Sequence, residues 1–143
     1  MTDPKAMPAA LRALLERPNF VHLSTLRADG SPKVDPIWAD VTDHHTIVIG
    51  SGRTSLKTRN VLRDPRVALS VVDMANPYEE GQVRGVASVV DDPDMAVMDR
   101  ISHKYIGAPF PMRDDPANRI AIVITVTQCR YAKLPFSHTP PTT

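Results

Sequence analysis

Apolar and polar positions change period several times along the chain, and each change marks an expected element. From Pro8 to Arg17, Leu11, Leu14 and Leu15 recur at helical spacing behind a proline suited to a first turn. This predicts a short amphipathic helix that is ended by Pro18 and lids one end of a core. Asn19 to Arg27 alternates Phe20, His22, Ser24 and Leu26 against Val21, Leu23 and Thr25. Ala28-Asp29-Gly30-Ser31 follows as a turn and Lys33 to Val41 as a second extended run, which together predict a hairpin. After a turn at Thr42-Asp43-His44-His45, the β-branched run Thr46 to Gly50 completes a meander.

Thr54 to Asp64 returns to helical period, with Thr58, Val61 and Leu62 as a narrow apolar stripe, Thr54 or Ser55 as cap and Pro65 as stop. Arg66 to Met74 reads as a buried strand, Ala75 to Glu79 as a loop, and Glu80 to Asp91 as a long strand whose Gly81 and Gly85 predict a bulge or bend. Asp92 can cap a helix with Pro93 in its first turn that runs to about Ile106, with Met95, Met98, Ile101 and Tyr105 on its core side. Gly107 to Pro116 is a proline-rich loop. Ile120 to Val126 is the most apolar strand, and it continues through Cys129 and Tyr131. About six strands, mostly in antiparallel succession, and about three helices predict a mainly β fold, a small barrel decorated by helices. No internal repeat is visible.

Length and charge narrow the class. A chain of 143 residues has the size of one domain, expected over 1–143, with 134–143 as a flexible tail carrying three of the 14 prolines. Seventeen basic and 16 acidic residues leave a formal charge of +1, which supplies no general attraction to nucleic acid or an anionic membrane. The single Cys129 forms no internal disulfide and sits in no paired metal or redox spacing. No leader pattern and no apolar window of about eighteen residues is present, so the expectation is a soluble cytoplasmic protein.

The densest chemistry lies in SGRTSLKTRN, residues 51–60, directly after the apolar run TIVIG. At a strand-to-helix junction, free backbone N–H groups and the positive end of the helix dipole favour an anion, and Ser and Thr hydroxyls add donors. Lys57 falls in the first turn, where a cation opposes the dipole unless an anion offsets it. The segment lacks the spacing of a nucleotide P-loop. The alternative is that Lys57, Arg59 and Arg63 form a solvated helix face.

Other groups carry weaker signals. Trp38 in a strand suits a core or interface as well as a ring-stacking role, and Tyr78 in a loop is similar. His22 reads as structural or surface, and His44 and His45 have no partner at metal spacing, so no metal is expected. His103 and Lys104 read as solvated helix surface, and Asp91 and Asp92 as a helix entrance in place of an acid-base pair.

TLRADGSPKVDPIW, the segment ending GRTSLKTRNVLRDPRVALSV, and EGQVRGVASVV together resemble the split β-barrel, flavin-reductase-like superfamily that contains the pyridoxamine 5'-phosphate oxidases. Lys-Thr-Arg-Asn followed by Arg-Asp-Pro-Arg is more like its actinobacterial branch of deazaflavin-dependent oxidoreductases, which use coenzyme F420. The resemblance covers roughly residues 10–133 and implies a split-barrel, FMN-binding-type fold, with a homodimer whose cofactor groove lies at the interface. It further implies that Lys57 contacts the cofactor phosphate, helped by Ser51, Arg53 and Ser55, with Leu56 beside them. By the same resemblance, the strand Lys33, Val34, Asp35, Pro36, Ile37, Trp38 would run along the tricyclic ring, with backbone groups of Val34, Pro36 and Ile37 at its polar edge. Gly50 would allow close backbone approach, and Asn76, Pro77 and Tyr78 would reach over from the partner subunit.

Pyridoxamine phosphate oxidases grip their substrate with a Trp- and Arg-containing C-terminal segment, whereas this chain ends CRYAKLPFSHTPPTT. The deazaflavin tail carries a phosphodiester and carboxylates, which suits extra cations such as Arg53, Arg59 and Arg27. The implied activity is hydride transfer from reduced F420 to a conjugated acceptor, tetrapyrrole- or quinone-like, with no catalytic side chain required. Two alternatives stay open: an FMN-dependent oxidase or reductase, and a non-catalytic F420 carrier.

Overall fold

A computed structural model describes residues 3–43 and 45–142. In chain order the elements are α1 (Ala9–Glu16), β1 (Val21–Leu26), β2 (Pro32–Ile37), β3 (Asp40–Asp43), β4 (Thr46–Gly52), α2 (Leu56–Arg63), β5 (Arg66–Val72), β6 (Glu79–Asp91), α3 (Ala96–Ile106) and β7 (Arg119–Lys133), with a single 3-10 turn before β7. The strands form one seven-stranded antiparallel sheet in the order β2-β1-β5-β6-β7-β4-β3. The mainly β, split-barrel expectation holds, with seven strands in place of about six.

The extra strand arises because the run Lys33 to Val41 breaks at Trp38-Ala39. β2 pairs only with β1 and β3 only with β4, so the two halves of that run sit on opposite edges of the sheet and no three-strand meander forms. A link of two residues joins the two edges, so the sheet must curl until they meet. Ala39 in this link is fully buried, and α3 satisfies its backbone. The Ala39 N–H donates to the Tyr105 hydroxyl at 3.1 Å, and Lys104 Nζ donates to the Ala39 carbonyl. A buried amide at a strand break needs such partners, because no ladder supplies them.

Strand alternation builds the interior. Val21, Leu23, Val67, Leu69, Val71, Ile120, Ile122 and Ile124 are buried, and α1 closes one end with Leu11, Leu14 and Leu15. A Cβ on Gly81 would lie 2.3 Å from Leu11 Cδ1, so that glycine lets α1 seat on β6. At Gly85 the ladder to β7 slips, leaving Thr127 without an opposite residue, and a Cβ there would stand 2.5 Å from the Thr125 carbonyl oxygen. Both glycines thus mark close approaches, and the expected bulge lies at the second.

A second cluster joins α3 to the outer side of β4 through Val48, Met95, Met98 and Ile101, with Trp38, Tyr105 and Phe110 packed against it. The helix starts later than expected, at Ala96, after the left-handed Met95. Asp92 still caps it, accepting the Val97 and Met98 N–H groups at 3.1 and 3.0 Å across the intervening turn. On α2 the expected stripe is corrected: Leu62 is 62% exposed, whereas Asn60 is fully buried. The Asn60 amide donates to Thr25 Oγ1 at 3.0 Å, which docks α2 on β1 with a polar bond.

Lys104 is also corrected, from solvated surface to a half-buried stitch. Its ammonium donates to Leu15 O at 2.8 Å as well as to Ala39 O, and lies 3.6 Å from Asp40 Oδ1. Burial pulls its pKa below the ordinary lysine value, with Asp40 opposing the shift. From Leu134 onward the described chain has no helix or strand, although Phe136 packs edge-on against Tyr78. His44 of the expected turn lies outside the described residues. Among the described residues no group of His, Cys, Asp or Glu is gathered to hold a metal, and no helix is long and apolar enough to cross a membrane.

Candidate functional site

The β4-to-α2 junction carries a knot of hydroxyls. Ser55 caps α2, its Oγ accepting the Thr58 N–H at 3.3 Å, and Thr58 Oγ1 donates to the Gly52 carbonyl at 2.7 Å. Ser55 Oγ lies 2.9 Å from Ser51 Oγ and 2.8 Å from Thr58 Oγ1. With the Thr58 proton on the Gly52 carbonyl, the Ser55 hydroxyl donates to Thr58 Oγ1 and the Ser51 hydroxyl to Ser55 Oγ, so an anion would take these donors in exchange for internal bonds. No acidic residue occupies the first turn of α2.

Lys57 stands in that first turn, half-buried, and no carboxylate of the described residues lies within ion-pair distance of it. Burial lowers its pKa, the Asp35 carboxylate raises it and the Lys33 ammonium lowers it again. The register explains this company: Thr25 faces Lys33 and Leu23 faces Asp35, so both charged side chains stand on the inward face of β2. Lys33 is ion-paired with Asp35, whose Oδ2 is buried without a hydrogen-bond partner. Two ammonium groups thus share one carboxylate, which leaves a net positive charge where the hydroxyls converge.

A cavity of about 340 Å³ opens beside this charge. Its polar wall is Gly50, Ser51, Gly52, Ser55 and Lys57, and Pro36, Ile37 and Trp38 bring the end of β2 to it. The structure therefore brings together Pro36, Ile37, Trp38, Gly50, Ser51, Ser55 and Lys57 of the expected set. Lys33 and Asp35 act from behind Lys57, and Val34 and Leu56 do not line the cavity. Arg53 is ion-paired to Asp91 and also lies outside it. Asn76, Pro77 and Tyr78 do not reach the cavity of their own chain, and Arg63 is tied to Leu26 O at 3.0 Å. At Gly50 the close approach comes from the protein itself: a Cβ there would lie 2.3 Å from Met98 Sδ.

Sequence reasoning missed the rest of the lining, which consists of Phe20, Met98, Phe110 and Arg119. Trp38 stacks on Tyr105 with centroids 5.1 Å apart and meets Phe110 edge-on at 6.1 Å. The Arg119 guanidinium lies 4.9 Å from the Phe110 ring centroid. Only the pairing of Arg119 with Gly52 on the neighbouring strand brings this cation to the site, and no local motif announces it.

A larger groove of about 590 Å³ runs over the outer sheet face past His22, Val34, Arg84 and Cys129. Val34 is its single member from the expected set, and although Ser24, Ser70, Arg84 and Arg130 line it, no unpaired lysine ammonium stands beside a strand-to-helix junction there. Chemistry therefore favours the smaller cavity.

Residues 7–133 match the family model described as pyridoxamine 5'-phosphate oxidase. A solved F420 reductase superposes with a TM-score of 0.78 at 34% identity, covering 87% of this chain and 98% of that one. A conserved hypothetical protein of Mycobacterium tuberculosis shares the fold with a TM-score of 0.74 at 23% identity, over 99% of this chain and 97% of that one. No curated protein matches the sequence.

Proposed function

The chain belongs to the pyridoxamine 5'-phosphate oxidase family, and from that premise we propose an oxidoreductase that binds the deazaflavin coenzyme F420 and delivers hydride from its reduced form to a conjugated small-molecule acceptor. Family and fold support a flavin- or deazaflavin-type oxidoreductase in general. The observation that carries the phosphate-binding part of this reading is Lys57, a half-buried ammonium without an ion-pair partner among the described residues, beside the junction hydroxyls. The similarity to an F420 reductase directs the choice of cofactor.

When bound, the reduced deazaflavin supplies the hydride from its own ring carbon. The protein's part is to bind and orient. Lys57, Ser51 and Ser55 hold the phosphate, which would satisfy the charge left over from the Lys33-Asp35 pair. β2 is a sheet edge, so backbone groups on its outer side have no ladder partner and are free to meet the polar rim of the ring. Trp38, Phe110 and Met98 form an apolar wall that excludes water from the acceptor. Among the described residues no carboxylic acid or histidine lines the cavity, and a proton required after hydride transfer comes from solvent or a nearby hydroxyl.

The protein works as a homodimer in this proposal. Asn76, Pro77 and Tyr78, which do not line the cavity of their own chain, contribute from the second subunit in this reading, as the family resemblance implies. Its place of action is the cytoplasm.

Fluorescence titration of the purified protein with oxidised F420 and with FMN tests the assignment, followed by mixing the reduced coenzyme with tetrapyrrole and quinone acceptors. The expected result is tighter F420 binding and consumption of an acceptor. Tighter FMN binding moves the protein to the flavin class, and a single phosphate clamp at Lys57 is compatible with that outcome. Tight F420 binding with every acceptor left intact makes it a carrier.

A further inference from the structure

The aromatic wall has an ordered arrangement with a cation at its end. Phe20, Tyr105, Trp38 and Phe110 form a continuous chain of ring contacts, and Arg119 lies over the last ring. Phe20, Trp38 and Phe110 line the cavity, whereas Tyr105 supports Trp38 from behind. One guanidinium nitrogen of Arg119 donates to the Met112 carbonyl at 3.2 Å, which together with the Phe110 ring holds the group in place. No carboxylate of the described residues is ion-paired with it. The remaining guanidinium donors are unclaimed by any described carboxylate, and Arg119 itself lines the cavity.

Two cations therefore line the cavity, Lys57 beside the hydroxyls and Arg119 beside the rings. An ammonium with hydroxyls suits a phosphate as a point charge, whereas a planar guanidinium held against a ring suits the fork of a carboxylate. Flat apolar walls ending at such a fork recognise a flat apolar molecule ending in an anion.

We propose that the cavity selects planar conjugated acceptors bearing a carboxylate, with the ring system against Trp38 and Phe110 and the carboxylate on Arg119. This defines the acceptor class of the proposed reaction and rests on that reaction, although the binding step itself needs no cofactor. Arg119 is then a specificity residue, which discriminates an acid from its neutral analogue of the same shape.

The test uses the full chain without cofactor and its single tryptophan, Trp38, as reporter. Anthraquinone-2-carboxylate and anthraquinone-2-carboxamide are titrated in parallel, with quenching corrected for absorption. The acid is expected to bind tighter than the amide by roughly ten- to a hundredfold, the size of one charge-assisted contact. Arg119→Gln should bring the acid down to the amide and leave the amide unchanged, and Lys57→Met should preserve the preference. Equal binding in the wild type, no quenching by either probe, a preference intact in Arg119→Gln, or one that vanishes with Lys57 overturns the proposal. Should Arg119→Gln fail to fold, Arg119→Lys carries the test, because it keeps the charge and loses the fork. The preference must then shrink, and an unchanged one overturns the proposal. Failure to bind F420 with the acid preference intact sinks only the cofactor assignment, and F420 binding without the preference sinks only this one.

Discussion

The Tyr105 ring lies parallel to Trp38, with planes 8° apart and centroids separated by 5.1 Å, while its hydroxyl donates to Asn19 O at 2.6 Å and accepts the Ala39 N–H. One side chain of α3 thus anchors the link between the sheet edges and backs the wall of the cavity. Tyr105→Phe keeps the stack and orphans the buried Ala39 amide, so it should cost about 1 to 3 kcal/mol in denaturant unfolding. Tyr105→Leu removes the stack as well and should shift the Trp38 emission in the folded protein, which Tyr105→Phe should leave nearly unchanged.

Removing Lys57 tests the phosphate site. Lys57→Ala should weaken F420 binding by on the order of 1.5 to 3 kcal/mol, the value of a charge-assisted contact, with little change in thermal midpoint. Unchanged affinity removes this residue from the site.

The pH dependence of that affinity has a definite sign. Burial, partly offset by Asp35, holds the Lys57 pKa below its unfolded value, so the unfolded chain binds more protons between the two values. This group's share of stability therefore rises as pH climbs through that window. If the ammonium holds the cofactor phosphate as proposed, cofactor affinity should fall across the same window, because the neutral amine loses that contact. Asp35→Asn should move the fall to lower pH and Lys33→Met to higher pH, in titrations at constant ionic strength.

Asn60 and Thr25 form the buried polar bond between α2 and β1. Asn60→Ala leaves the Thr25 hydroxyl, only 1% exposed, without this donor, and should cost roughly 1 to 3 kcal/mol. A double-mutant cycle with Thr25→Val should show coupling well above the few tenths expected of independent sites. Additive losses would mean that the bond contributes nothing of its own.

Asp92 caps α3 from outside the helix. Asp92→Ala frees the Val97 and Met98 N–H groups and should destabilise the protein by about 0.5 to 2 kcal/mol. Because Met98 lines the cavity, faster amide exchange confined to the first turn of α3 should accompany weaker ligand binding.

Local chemistry made much of this protein legible in its sequence. Periodicity located every helix and all but one strand, since apolar spacing records directly which face each element buries. The Ser55 cap and the Asp92 carboxylate were readable because a cap acts within a few residues of itself. Ser51, Ser55 and Lys57 were readable for the same reason, as neighbours along one strand-to-helix junction. What depended on partners far along the chain was not readable. The break at Trp38-Ala39 has no glycine or proline to announce it, and it exists because Tyr105 and Lys104 satisfy a backbone that has left its ladder. Arg53 and Arg119 look alike as isolated cations, yet Asp91 claims the first and strand pairing with Gly52 brings the second to the cavity. The sequence by itself determined all but one of the elements and the gathering of Ser51, Ser55 and Lys57 at one strand-to-helix junction, because those depend on spacing. Only the tertiary structure decided which charges stay unpaired beside which rings, because that depends on strand order and register across the whole sheet.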